Sequence, residues 1–102
     1  MRMDKSGAAA LGILGPTSCP RLAAGVRLTF DRTRENWILL APERVFMLDE
    51  VSLEIVQKCD GATSLAMIVD DLARNYSADR DEIELDVRKL LQDLLDKKVM
   101  AI

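Results

Sequence analysis

The sequence contains no histidine, and its aromatic residues are one Trp, one Tyr and two Phe. Without histidine, the chain lacks the side chain that most often acts as a general acid or base near neutral pH. It also has no glycine-rich phosphate loop and no cluster of metal ligands. The acids at 70–71 and 79–84 are chain neighbours that point in different directions on a helix, so we expect them to be solvated. The sequence predicts neither an enzyme nor a metal or cofactor site.

Cysteine is also scarce, with only Cys19 and Cys59, which lie far apart. This pattern fits neither a zinc site nor a disulfide-rich secreted domain. We expect Cys59 to be a small hydrophobe on the buried side of a helix, and Cys19 to lie in a flexible tail. No apolar run approaches the roughly 20 residues of a membrane span. The apolar stretch 8–15 is too short and too rich in glycine for a signal peptide, which favours a cytosolic protein without a membrane partner.

The second half of the chain has fewer basic than acidic residues. The net charge is −3; residues 1–48 contain 7 basic and 4 acidic residues, and residues 49–102 contain 7 basic and 13 acidic residues. Affinity for nucleic acid depends mainly on cationic contacts with phosphates. The acidic half therefore argues against a nucleic-acid partner, and the weakly basic first half does not reverse this.

Three short segments have the composition of strands, after a tail that we place at residues 1–20. Residues 26–31 alternate apolar and polar side chains, as a half-buried strand does. Residues 37–40 are continuously apolar, which predicts a central strand covered on both faces or one whose outer face is used. Residues 44–48 complete an antiparallel meander. We expect this third strand to lie at an edge, because only helices follow it.

The rest of the chain has the pattern of three helices, with apolar residues at every third or fourth position. Their N-caps are predicted at Asp49, at Thr63 or Ser64, and within the break Ser77-Ala78-Asp79. Asp60-Gly61 ends the first helix, and the apolar segment 99–102 packs back on the core. We therefore predict one α+β domain over residues 21–102, a winged-helix-like fold in which a three-stranded antiparallel sheet precedes three helices.

The third strand favours a function in peptide capture. It consists of four apolar residues between two charged ones: Arg44, Val45, Phe46, Met47, Leu48 and Asp49. Proteins usually protect an edge strand with charge, proline or brevity, so this apolar edge is suited to accept a peptide as an added strand. The alternative is a strand with one face in the core and the other in contact with a second copy. The composition alone supports both equally.

A winged helix also raises the alternative of DNA binding. A reading helix needs Arg, Lys, Asn or Gln aimed at base edges. The second predicted helix has only Arg74 and Asn75 near its end, after Asp70 and Asp71. The shape fits a DNA-binding protein, but the side chains do not.

Several runs of the sequence resemble the PqqD family of pyrroloquinoline quinone (PQQ) biosynthesis. They are Asn36-Trp37-Ile38-Leu39-Leu40-Ala41-Pro42-Glu43-Arg44-Val45, Leu48-Asp49-Glu50 and Cys59-Asp60-Gly61, followed by Ile68-Val69-Asp70, Asp86-Val87, Leu90-Leu91-Gln92-Asp93-Leu94 and Asp96-Lys97-Lys98. The likeness covers about residues 21–102. Lys98 stands where many relatives have glycine, and the N-terminal tail is not part of the shared pattern.

The resemblance implies a peptide chaperone. Such proteins bind the ribosomally made precursor peptide PqqA and present it to the radical S-adenosylmethionine enzyme PqqE. Related domains bind a leader peptide as an added strand between the third strand and the third helix. At matching positions, this implies a binding strand at Arg44 to Leu48, ending at Asp49, and a helix wall of Val87, Leu90, Leu91 and Leu94. Since Leu90 and Leu91 are neighbours, one can face the core while the other faces the groove.

Overall fold

The computed structural model describes residues 14–102. The strands are β1 (Arg21–Leu22), β2 (Arg27–Asp31), β3 (Asn36–Ala41), β4 (Arg44–Met47) and β5 (Met100–Ala101). The helices are α1 (Glu50–Gln57), α2 (Leu65–Tyr76) and α3 (Arg80–Asp96). Strands β2, β3 and β4 form an antiparallel sheet in that order, and β1 pairs with β5 in a second, two-stranded sheet. The predicted fold class is confirmed.

Strand β3 is central because it has apolar side chains on both faces. Leu39 is fully buried against the helices, where it joins the main core. Ile38 points to the opposite face of the sheet and is still only 4% exposed. The continuous apolar run therefore corresponds to a strand with a buried side chain on each face, while Leu40 on the outer face is half-buried. The main core is completed by side chains from the helices, the largest fully buried ones being Leu65, Ile68, Leu72 and Leu91.

Side-chain caps determine where the first two helices begin. The Asp49 carboxylate accepts a hydrogen bond of 2.7 Å from the Ser52 N–H, which also lowers the pKa of Asp49. Ser64 caps α2, since its hydroxyl accepts the Met67 N–H at 3.2 Å. Asp79 has the extended backbone of an N-cap for α3, but its side chain makes no capping hydrogen bond. Among the helices of residues 14–102, none is long and apolar enough to span a membrane.

The Cys59-Asp60-Gly61 turn holds the N-terminal segment against the helices. One Asp60 carboxylate oxygen accepts the Ala62 and Thr63 N–H groups at 2.9 and 2.8 Å, and these bonds lower the pKa of Asp60. Gly61 has φ +81°, and its N–H donates to the Pro20 carbonyl at 2.9 Å. Glycine is favoured here because an L side chain is strained at this positive φ.

The segment 14–20, which we predicted as part of the tail, packs on the domain. Leu14 is 7% exposed and Pro20 is less than 2% exposed. The Leu65 N–H donates to the Ser18 carbonyl at 2.7 Å, and Arg88 donates to the Leu14 carbonyl at 3.0 Å. The glycine- and proline-rich run forms a turn that directs Leu14 back onto α3, and does not act as a linker. Residues 1–13 of the predicted tail lie outside the described residues.

The two free cysteines should differ sharply in reactivity. Cys59 is 7% exposed and its thiol donates to the Ile55 carbonyl at 3.3 Å. Burial, helped by the neighbouring Asp60 charge, raises the pKa of Cys59 to about 12, so the reactive thiolate is suppressed. At pH 8 we expect a thiol reagent to modify half-exposed Cys19 in the folded protein and Cys59 only after unfolding. Mass spectrometry of the Cys19→Ser and Cys59→Ser variants checks this, and rapid labelling of folded Cys19→Ser protein would contradict it.

Candidate peptide-binding site

Strand β4 lies at an open edge of its sheet. Its register with β3 runs from Ala41 opposite Arg44 to Ile38 opposite Met47. Within residues 14–102, no other strand pairs with β4. The opposite edge, β2, has a charged residue at both ends of the strand, Arg27 and Asp31, whereas β4 has one, Arg44, followed by three apolar residues. The sheet therefore has one edge that is chemically suited to accept another strand.

The ladder between β3 and β4 shows which backbone groups of β4 are directed outwards. The Leu48 N–H donates to the Trp37 carbonyl at 3.0 Å, so this pair is hydrogen-bonded. Antiparallel pairs alternate between bonded and non-bonded positions. Arg44 and Phe46 therefore use their N–H and C=O groups on β3, whereas those of Val45 and Met47 point to the open side. An incoming strand would bond to Val45 and Met47.

The side chains of β4 alternate between the two faces of the sheet. Phe46 is half-buried against the core, and Leu48 beyond it is 5% exposed. Val45 and Met47 point to the outer face, with exposures of 41% and 61%. Of the predicted binding strand, Leu48 is thus a core residue, and Asp49 uses its carboxylate to cap α1. The surface that remains for a peptide is formed by residues 44–47.

Helix α3 contributes one predicted wall residue with free surface. Val87, Leu91 and Leu94 are at most 3% exposed and belong to the core. Leu90 is half-buried and packs against the edge of that core. Core packing accounts for Val87, Leu91 and Leu94. Of the four predicted wall residues, Leu90 therefore has surface left for contact with an added strand.

Arg44 links the beginning of β4 to the end of α3. One terminal nitrogen (Nη2) of Arg44 donates to the Lys97 carbonyl at 2.6 Å. The Arg44 guanidinium carbon also lies 5.3 Å from the centroid of the Phe46 ring, within the range of a cation–π contact. Lys97 was not predicted as a partner of Arg44. It lies two helical turns after Leu90 and hence on the same side of α3. This bond holds the strand and the helix together at one end.

The side of α3 that carries Lys97 and Leu90 continues to Asp86. Lys97 and Asp86 are about 16 Å apart along the helix axis, since each residue rises about 1.5 Å. Strand β4 runs in the opposite direction, and from Arg44 to Asp49 it spans a similar length at about 3.3 Å per residue. We call the space between the two elements the groove, and its length corresponds to about five extended residues.

Comparison with known proteins identifies the family. The model of the family described as PqqD, coenzyme PQQ synthesis protein D, matches residues 36–100. The chain belongs to the PqqD family. This confirms the resemblance drawn from the sequence. The matched residues include all of β3, β4 and the three helices.

Curated relatives share about half of their residues with this chain. The chain is 56% identical over 81 residues to the PqqA binding protein of Rhodopseudomonas palustris (strain TIE-1), a match that covers 79% of each protein. It is 49% identical over 85 residues to the PqqA binding protein of Xanthomonas campestris pv. campestris (strain 8004), covering 83% of this chain and 92% of that one.

Two solved structures of PqqD proteins are similar. One is the solution NMR structure of the PqqD truncation of Methylobacterium extorquens PqqCD, described as a functional, stand-alone recognition element for ribosomally synthesized and post-translationally modified peptides (RiPPs). It has a TM-score of 0.76 and 36% identity, and the match covers 90% of this chain and 98% of that one. The crystal structure of PqqD from Xanthomonas campestris has a TM-score of 0.52 and 49% identity, covering 83% and 94%.

Proposed function

We propose that this protein binds the precursor peptide PqqA as a strand added to the edge of β4 and presents it to the radical enzyme PqqE. The observation that carries this proposal is the open edge itself, with the backbone groups of Val45 and Met47 directed outwards and Leu90 across the groove. The relatives named as PqqA binding proteins support the choice of peptide. The step to PqqE follows from the family resemblance. We place this binding in the cytosol, where both free thiols stay reduced.

The geometry favours an affinity suited to delivery. A single strand of about five residues buries an interface at the low end of about 1,200 Å², and ordering a flexible peptide costs several kcal/mol. We therefore expect a dissociation constant near the micromolar range. Such a complex collects the peptide at cellular concentrations and still releases it to an enzyme.

A titration of isotope-labelled protein with synthetic PqqA tests the proposal. Amide signals of residues 44–49 and of α3 around Leu90 should shift, because a new strand changes their hydrogen bonding and surroundings. The signals of β2, at the far edge of the sheet, serve as the internal control and should change little. A peptide of the same composition in scrambled order controls for non-specific association. Changes spread evenly over the surface, or none at saturating peptide, would contradict strand addition at β4.

DNA binding receives no support from the charges of the helices. The three arginines of α2 and α3 are paired with carboxylates at 2.6 to 3.2 Å: Arg74 with Asp71, Arg80 with Asp70 and Glu84, and Arg88 with Glu84. Cations held in this way are not directed at phosphates, and the exposed acids beside them repel a nucleic acid. The acidic faces of α2 and α3 are better suited to steer a protein partner, and we propose them as the surface for PqqE.

The open edge is also suited to pairing with a second copy. The outer-face exposure of Val45 and Met47 is compatible with such a dimer. The mass of the protein in solution, measured with and without peptide, separates the two cases. Strand addition predicts one peptide per chain, and any dimer formed through β4 should dissociate as the peptide binds.

A further inference from the structure

A pocket of about 270 Å³ lies where the three helices meet. Its lining comes from α1, α2, the connection after α2 and the first half of α3, and it includes Val51, Leu72, Tyr76, Ala78, Ile83 and Asp86. All of its lining side chains are apolar except the Asp86 carboxylate and the Tyr76 hydroxyl. An apolar cavity of about 150 Å³ accommodates benzene, so this one has room for a bulky side chain.

The rim of the pocket leaves large apolar side chains exposed to water. Val51 is 48% exposed and Tyr76 is 46% exposed. Both lie on helices that also carry core residues, such as Ile55 and Leu72 at 2% and 1% exposure. A concave apolar surface of this kind, with a few polar groups at its rim, is typical of a binding site.

The pocket lies at one end of the groove between β4 and α3. Val51 follows Asp49 at the start of α1, directly after β4. Asp86 lies on the same side of α3 as Leu90, about one turn nearer its N-terminus. The Arg44–Lys97 hydrogen bond closes the other end of the groove. A peptide that pairs with β4, for example in the antiparallel direction, would therefore reach the pocket where it passes Asp49.

Acidic groups surround the pocket. Asp86 is part of the lining, and the Tyr76 hydroxyl donates a hydrogen bond to the Glu54 carboxylate. This hydrogen bond raises the pKa of Tyr76, with smaller contributions from desolvation and from the charges of Glu54 and Glu50. No basic side chain lines the pocket. The site therefore combines an apolar interior with a negative rim.

We propose that this pocket receives one bulky apolar side chain of the precursor peptide, from a residue just outside the segment paired with β4 and next to a lysine or arginine. The proposal rests on the proposed function, because the pocket is reached from the β4 groove. Strand pairing is nearly independent of sequence, whereas the pocket selects a side chain by shape and charge. The pocket would thus provide the specificity that main-chain hydrogen bonds cannot.

The test fills the pocket without touching the strand. Ala78→Phe places a ring in the pocket from an exposed position, and Ala62→Phe adds the same ring to an exposed loop away from it. Isothermal titration with synthetic PqqA measures the affinity of both variants. We expect Ala78→Phe to bind at least about tenfold more weakly than Ala62→Phe, because the peptide can no longer bury one apolar side chain. Equal affinities of the two variants would overturn the proposal.

A second experiment tests the proposal even if the Ala78→Phe variant folds poorly. Each apolar residue of PqqA is replaced in turn by alanine and tested against wild-type protein and Asp86→Lys. One residue should account for about a tenfold loss, and the amide signals of Val51, Ile83 and Asp86 should stop shifting for that peptide alone. The Asp86→Lys variant should bind PqqA more weakly only when the peptide keeps the lysine or arginine next to that apolar residue. No residue-specific loss of these shifts would contradict the proposal.

The outcomes also separate this inference from the proposed function. If PqqA binds wild-type protein with shifts at residues 44–49 but none around the pocket, the strand proposal stands and the pocket proposal is wrong. If PqqA does not bind at all, the proposed function is wrong. Shifts of the pocket signals that depend on protein concentration without peptide would identify a second copy as the occupant, and would equally overturn the proposal.

Discussion

Replacing Met47 with proline should weaken binding of PqqA at least about thirtyfold with little loss of stability, because proline removes one hydrogen bond to the peptide and places a ring in its path. The Met47 N–H points to the open side of β4, so the ladder with β3 does not need it. Val45→Pro should act in the same way. Isothermal titration and a thermal melt measure the two effects separately.

Two matched variants make this prediction specific to the backbone. Met47→Ala removes the side chain but keeps the N–H, and it should weaken binding much less than Met47→Pro. Phe46→Pro removes a hydrogen bond within the sheet and should instead lower the free energy of unfolding by about 3 kcal/mol. Unchanged affinity of a folded Met47→Pro protein for PqqA would mean that the peptide docks elsewhere.

Replacing Leu91 with alanine should lower the free energy of unfolding by about 3 kcal/mol, because it leaves a cavity in a fully buried part of the core. Small domains are stable by about 5–15 kcal/mol, so the variant should still fold at low temperature. The single Trp37 provides a fluorescence signal for denaturant unfolding. Leu85→Ala is the matched control on the same helix, since Leu85 is 54% exposed, and it should change stability by no more than about 0.5 kcal/mol.

Leu90, the neighbour of Leu91, should contribute less to stability and more to peptide binding. Leu90 is half-buried beside the groove, so Leu90→Ala should cost less stability than Leu91→Ala and should weaken binding of PqqA by about tenfold. The same titration measures this. Equal losses of stability in the two variants would show that Leu90 is as much a core residue as Leu91, and would remove the helix wall from the proposed site.

The elements of the fold were predictable because their signals are local. The three-to-four spacing of the helices records which side of each helix is buried. The alternation over residues 26–31 predicted the strand but not the burial of each side chain, since Phe30 is 46% exposed. Asp49 could be recognised as an N-cap because a short acidic side chain before a helix satisfies a free N–H. The choice between Thr63 and Ser64 could not be made in this way, because either hydroxyl could act and only the backbone path selects Ser64.

The contacts between distant segments were not predictable. Strands β1 and β5 are two residues each, too short for any periodic pattern, and they pair residues 21–22 with 100–101. The segment 14–20 has the composition of a linker, yet its carbonyls accept hydrogen bonds from the start of α2. Its Gly and Pro residues indicate a turn, but they do not show what the turn packs against.

The sequence by itself determined that this chain is a small α+β domain with an apolar third strand and without histidine. Tertiary structure decided which groups of that strand are available. Whether an N–H points inwards or outwards depends on pairing with β3, and whether Leu90 or Leu91 is buried depends on how α3 rotates against the sheet. Both are relations between elements far apart in the chain, and a local pattern of side chains contains no information about them.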